Sequence, residues 1–287
     1  MALSLLVVFG VGYCVRGSSV RDECLGPSNT NGQWIVDNSG GVSGPLRSEC
    51  VKAFAFNESR LVTRVSLLPG VVEIGDYAFR HCCNLRQVSL SPALNKMGEG
   101  AFTHCGALTT IEMPPLLRNI SPSLFCGCTS LEKVNIPECT TNIGEAAFSK
   151  CYVLSEIQIP SNTLHIGNRA FNQCRCLQSV VIDEGVQEIG EAAFAECVKL
   201  ERVVLPSSLK FLGKYAFYGC ASLKRIEFRG ELPRVEPFPG IVQDTPLDLQ
   251  VIVHEEAIGR DMDLDVWPQD WKANRRPMVI LPPNRNR

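Results

Sequence analysis

The chain has 287 residues, 45 % hydrophobic and 20 % charged, and carries 28 Lys and Arg against 30 Asp and Glu, a net charge of −2. That balance offers no basic field for nucleic acid. No low-complexity linker divides the chain, so one elongated domain accounts for its length.

Residues 2–15 (ALSLLVVFGVGYCV) are almost wholly apolar. The run is too short to span a bilayer comfortably but suits the core of a signal peptide, although no Lys or Arg precedes it. Residues 1–17 are therefore expected to be a signal peptide cleaved after Gly17; the alternative is a buried N-terminal strand. No other stretch is long enough for a membrane anchor. Residues 18–50 are expected to cap the domain. Within them Trp34, Ile35, Val36 and Asp37 predict a short strand, and the glycine-rich stretch 40–44 predicts a hairpin.

From residue 51 to 234 one pattern governs the chain. Phe56, Phe79, Phe102, Phe125, Phe148, Phe171, Phe194 and Phe217 recur every 23 residues. Cys82, Cys105, Cys128, Cys151, Cys174, Cys197 and Cys220 follow three residues later in seven of the eight phases. The unit reads I-G-x-x-A-F-x-x-C-x-x-L-x-x-V-x-I-P plus five variable residues; in the first unit Val51 takes the Ile position and Ser59 the Cys position. A fixed period of this length means stacked units, none of which can bury its apolar face alone. The V-x-I segment alternates as a strand does, so Val88 and Leu90 are expected to face the core and Gln87 and Ser89 the solvent. The proline that often follows ends the pairing, because it has no N–H to give. Eight rungs about 4.8 Å apart make a body on the order of 40 Å long.

These blocks closely resemble the repeat of the BspA-like leucine-rich-repeat family over roughly residues 51–234. The resemblance implies an α/β-type repeat: a right-handed leucine-rich-repeat solenoid of short parallel strands, mostly β and loop, capped at both ends. It also implies surface or secreted proteins that bind other proteins, often as adhesins, with no shared catalytic residues.

Past residue 234 the pattern fades. Leu232, Val235, Leu249 and Val251 fall one period after Leu209, Leu212, Ile226 and Phe228, which predicts a degenerate ninth rung over 235–253, with Gly240 at the Phe position. Residues 254–287 are expected to close the stack, with Trp267 and Trp271 over the last rung.

The ladder cysteines are expected to be reduced packing groups, because equivalent Cβ atoms on adjacent rungs lie about 4.8 Å apart, beyond disulfide reach. Cys24 and Cys50 flank the cap and are the disulfide candidates. Asn57 and Asn119 head glycosylation triplets at variable positions, where both would be exposed. His81 and His104 share a repeat position, so their rings could stack, but a metal site would need a third ligand. They are read as exposed surface histidines. No zinc pattern, nucleophile elbow, phosphate loop or metalloprotease motif is present, and no cofactor is implied.

The outward strand positions form two columns. One runs Arg64, Gln87, Thr110, Lys133, Glu156, Ser179, Arg202, Arg225; the other runs Ser66, Ser89, Glu112, Asn135, Gln158, Val181, Val204, Glu227. Val181 and Val204 are apolar and flanked by Arg202 and Arg225, as protein hot spots are. The expectation is a non-enzymatic protein-binding module, secreted or surface-displayed, whose partner is a protein or an extracellular surface. The rivals are an intracellular scaffold, which would suit free thiols, and a structural coat or matrix module.

Overall fold

The computed structural model describes residues 35–36, 41–43, 49–235, 240–254 and 278–281. The expected signal peptide, Cys24, Trp267 and Trp271 lie outside these residues.

Each 23-residue unit contributes two strands to two parallel ladders. The long-strand face carries Arg64–Ser66, Gln87–Ser89, Thr110–Ile111, Lys133–Val134, Glu156–Ile159, Ser179–Ile182, Arg202–Leu205 and Arg225–Phe228. Partners are one period apart, as in Val65↔Val88 and Val203↔Ile226. The other face carries two-residue strands from Cys50–Val51 through Phe211–Leu212 to Arg234–Val235, paired as in Val51↔Ile74 and Leu212↔Val235. Val88 is buried, Leu90 packs half-buried against the core, and Gln87 and Ser89 are exposed. No helix occurs among the described residues; turns complete every unit.

These turns set two residues per unit in the left-handed region. One column holds Tyr77, Ser123, Ala146, Arg169, Ala192 and Tyr215, and the other holds His81, His104, Lys150, Gln173 and Glu196. A non-glycine residue there costs roughly 1–2 kcal/mol. The turn accepts this because alternate N–H groups then all point at the next unit. Tyr77, Phe79 and His81 donate to the carbonyls of Glu99, Ala101 and Thr103, at 2.8 Å each. The glycine after Ile143 has a different reason. A Cβ on Gly144 would lie 2.6 Å from the backbone nitrogen of Pro122 on the rung below, so any side chain would push the rungs apart.

Between the two ladders lies the core, with one phenylalanine in each layer. Phe79 to Phe217 are fully buried, and from Phe56 to Phe217 neighbouring rings stack with centroids 5.1–5.7 Å apart. Beside them run the seven ladder cysteines, buried and free. They do more than fill space. Each Sγ donates to the phenylalanine carbonyl of the preceding rung, from Cys82 on Phe56 to Cys220 on Phe194, at 3.1–3.3 Å. The same carbonyl accepts the backbone N–H three residues on, as Phe79 O does from Cys82 at 3.1 Å, so the thiol supplies a second donor to a buried oxygen with two lone pairs.

The ends modify the expected pattern. Ile35–Val36 and Gly41–Ser43 form the predicted hairpin, and Val42 pairs in parallel with Val65, so the cap joins the long-strand face in register. The ninth rung is out of the expected phase. Ile226 pairs with Val251 and Phe228 with Val253, two residues beyond the predicted partners Leu249 and Val251. The shift arises after Arg234–Val235, which keeps the period. Phe217 N–H reaches the carbonyl of Ile241, where Phe194 reaches that of Ala216. Buried Val242, not Gly240, therefore stands in the Phe column. Beyond it, Met278–Leu281 adds a further parallel strand against Gln250–His254, an element the sequence pattern did not announce.

Candidate interaction surface

The long-strand face carries the predicted outward columns, and its side chains alternate inward and outward. Among the predicted outward columns, residues from Arg64 to Arg202 and from Ser66 to Val181 are exposed. Val181 stands opposite Gln158 and is 52 % exposed, the one large apolar side chain in that state on the two columns. Val204 is half-buried rather than fully outward, opposite Glu227 on the next strand.

The arginines do not form a free rim. Arg202 and Arg225 each donate through Nη2 to Oε2 of Glu227, at 3.0 and 2.9 Å. The Glu227 side chain is only 13 % exposed. Burial opposes its ionisation, but the hydrogen bond from Arg202 and the charges of both arginines outweigh it and hold the carboxyl below its ordinary range. The patch is thus Val181 and Val204 beside a bridged Arg–Glu–Arg group carrying one net positive charge. Glu227 was visible in the sequence column, but its bridging role depends on a diagonal reach that repeat phase does not specify.

A second feature lies mid-face. Lys133–Val134 pairs with Thr110–Ile111, and Glu156–Ile159 pairs with Ser179–Ile182, but these two strand groups do not pair with each other. Asn135 Oδ1 accepts the Met113 N–H at 3.2 Å and takes the place of a ladder carbonyl. An open depression of about 440 Å³ results, walled by Met113, Pro115, Val134, Ile136 and Pro160.

The remaining predicted positions are dispersed. Asn119 is exposed and accepts from Thr141 Oγ1 at 3.4 Å. Asn57 is half-buried with its Oδ1 enclosed and unbonded, against the expectation of exposure. Cys50 is half-buried in its strand, and its proposed partner lies outside the described residues. His81 and His104 do stack, at 4.5 Å and 17°, but both are half-buried rather than exposed. No trio of His, Cys, Asp or Glu able to hold a metal occurs among the described residues.

Residues 49–177 and 164–238 match the BspA type Leucine rich repeat region in six copies. The chain belongs to the BspA-type leucine-rich-repeat family. Among solved structures, this repeat protein is similar to the leucine-rich repeat protein of T. pallidum, with 28 % identity, a TM-score of 0.53, and coverage of 56 % of this chain and 78 % of that one. It also matches a leucine-rich repeat protein from Eubacterium ventriosum at 18 % identity and TM-score 0.48, covering 88 % of this chain and 83 % of that one. A leucine rich cell surface protein from Faecalibacterium prausnitzii matches at 17 % identity and TM-score 0.43, covering 91 % and 95 %. No functionally curated protein matches. Among the described residues of this BspA-type chain, no helix is long and apolar enough to cross a membrane.

Proposed function

We propose that the chain is a non-enzymatic recognition protein, secreted or surface-displayed, that binds a protein partner or an extracellular surface through its long-strand face. Val181, Val204, Arg202 and Arg225 contribute to that contact. The observation that carries the reading is Val181, half exposed in columns where Val204 is the one other apolar residue. An apolar centre beside charge-paired arginines is an arrangement found where binding energy concentrates in protein interfaces. Export is supported by the apolar run at residues 2–15. The test is adhesion of the purified protein to immobilised extracellular proteins and to intact cells. Val181→Asp with Val204→Asp should lower binding at least tenfold while leaving the circular dichroism spectrum intact. Equal binding by the double variant, or none by the parent protein, sinks the proposal.

A second reading, an intracellular scaffold, is favoured by the seven free ladder thiols, which a reducing compartment preserves. Intact mass from the native cell separates the two. Export predicts a chain lacking residues 1–17, with Cys24 and Cys50 protected from alkylation. A full-length chain in which every cysteine alkylates after unfolding would establish the scaffold reading instead.

A further inference from the structure

The depression in the middle of the long-strand face has a cause in the sequence. Pro114, Pro137 and Pro160 end the V-x-I segment on three successive rungs. One rung on, Asp183 holds that position, and its N–H donates to the Ile159 carbonyl of the preceding rung at 3.0 Å. Proline has no N–H to give, so the carbonyls of Met113 and Ile136 lack this donor. Neither these carbonyls nor the N–H groups of Asn135 and Ile136 have a hydrogen-bond partner among the described residues. The strand ends splay as a result. Val134 is half-buried, whereas Val88, Ile111, Ile157 and Val180 in the same column are buried.

The rim is acidic. Glu138 lines the depression, and Glu112 precedes its wall residue Met113. Both are exposed, and neither carboxylate has a hydrogen-bond or ion-pair partner among the described residues. Lys133 is turned to Glu156, at 3.8 Å. Gln158, on the far wall, donates to Asp183 at 3.2 Å and stands opposite Val181, so the depression continues into the apolar patch.

These features fit one kind of occupant. Unpaired N–H and C=O groups at a strand end suit an extended chain, which offers both in alternation. Met113, Val134 and Ile136 suit an apolar side chain, and the two free carboxylates suit a cation. The space of about 440 Å³ falls in the range of binding clefts, roughly 300–1,000 Å³. Building on the reading of the long-strand face as the recognition surface, we propose that the depression holds an extended segment of the partner protein in which lysine or arginine adjoins apolar residues. The apolar side chains enter, and the long basic ones bend to Glu112 and Glu138 at the rim.

Fluorescence anisotropy of the full chain with labelled octapeptides tests this. The probes alternate valine with lysine, valine with glutamate, valine with serine, and serine with lysine. The valine–lysine peptide should bind about tenfold more tightly than each of the others, the scale of two exposed ion pairs or a few apolar contacts. Equal affinities, or a preference for any other probe, overturn the proposal. Glu112→Gln with Glu138→Gln keeps side-chain size at two exposed positions. It should weaken valine–lysine binding about tenfold and leave the circular dichroism spectrum unchanged. Undiminished binding by this variant overturns the site. In NMR spectra the peptide should move the amide resonances of Asn135 and Ile136 and leave that of Asn142, on the short-strand face, in place; the opposite pattern also overturns it. Dimerisation of the chain that excludes the peptide would make a second copy the occupant instead. Adhesion without peptide binding removes the depression and leaves the recognition reading standing. Peptide binding without adhesion keeps the depression and removes that reading.

Discussion

Phe148→Ala is expected to lower the unfolding free energy by about 3–5 kcal/mol, the range for deleting a buried phenylalanine. The ring is fully buried and stacks on Phe125 at 5.5 Å and on Phe171 at 5.2 Å. Its loss removes the one aromatic ring of its layer, and the buried Ile143, Leu154 and Ile157 of the same unit are held in place by their own ladders and turns. The neighbours cannot collapse into the gap, since each is fixed by turn bonds such as Phe125 N–H to Ala147 O at 2.8 Å. In a stack whose stability is a sum of rungs and nearest-neighbour interfaces, the variant weakens two interfaces at once. Phe56→Ala should cost less, because Phe56 opens the phenylalanine column and is 9 % exposed where Phe148 is fully buried. Urea unfolding of both variants checks this. Equal losses would mean that the rings act one by one and that the stack adds nothing.

The difference between those two positions also marks what was legible beforehand. The period alone fixed which residues pair, because a ladder with one unit per rung has no other register that buries every Val and Ile; Val65↔Val88 and Leu212↔Val235 follow directly. Even the N-terminal hairpin obeys it, with Val42 one period before Val65. The ninth rung shows the limit. Leu249 and Val251 are as apolar as Val251 and Val253, so both phases satisfy the pattern, and only the turn after Val235 decides between them. Met278–Leu281 was missed because it has no phase relation to the repeat. The candidate patch was half legible: the columns gave Val181, but the bond from Arg202 to Glu227 spans strands diagonally and depends on rotamers. The histidines were placed correctly in their column and wrongly in exposure. Their left-handed turn backbone presses the rings against the next rung instead of aiming them at solvent.

The seven ladder thiols make the chain sensitive to alkali. Burial raises every one of them above the ordinary thiol value of 9.0, Cys82 and Cys220 to about 12 and the five between them also well up. The folded pKa lies above the unfolded one, so the native state binds more protons in this window. The stabilisation is complete below about pH 9 and is lost as pH climbs towards the folded values. Each thiol that ionises only on unfolding removes about 1.4 kcal/mol per pH unit beyond its unfolded pKa. Seven acting together remove about 10 kcal/mol by roughly pH 10, which is comparable with the whole stability of an ordinary domain. Unfolding should therefore set in steeply near that pH, followed by far-ultraviolet circular dichroism and denaturant midpoints. In Cys174→Ala the stability–pH slope should fall by about one proton, and at neutral pH the variant should lose the hydrogen bond to the Phe148 carbonyl. A stability that stays level from about pH 8 to 10 would show that the thiols ionise in place, and the ladder would then be looser than its 3.1–3.3 Å bonds to the phenylalanine carbonyls imply.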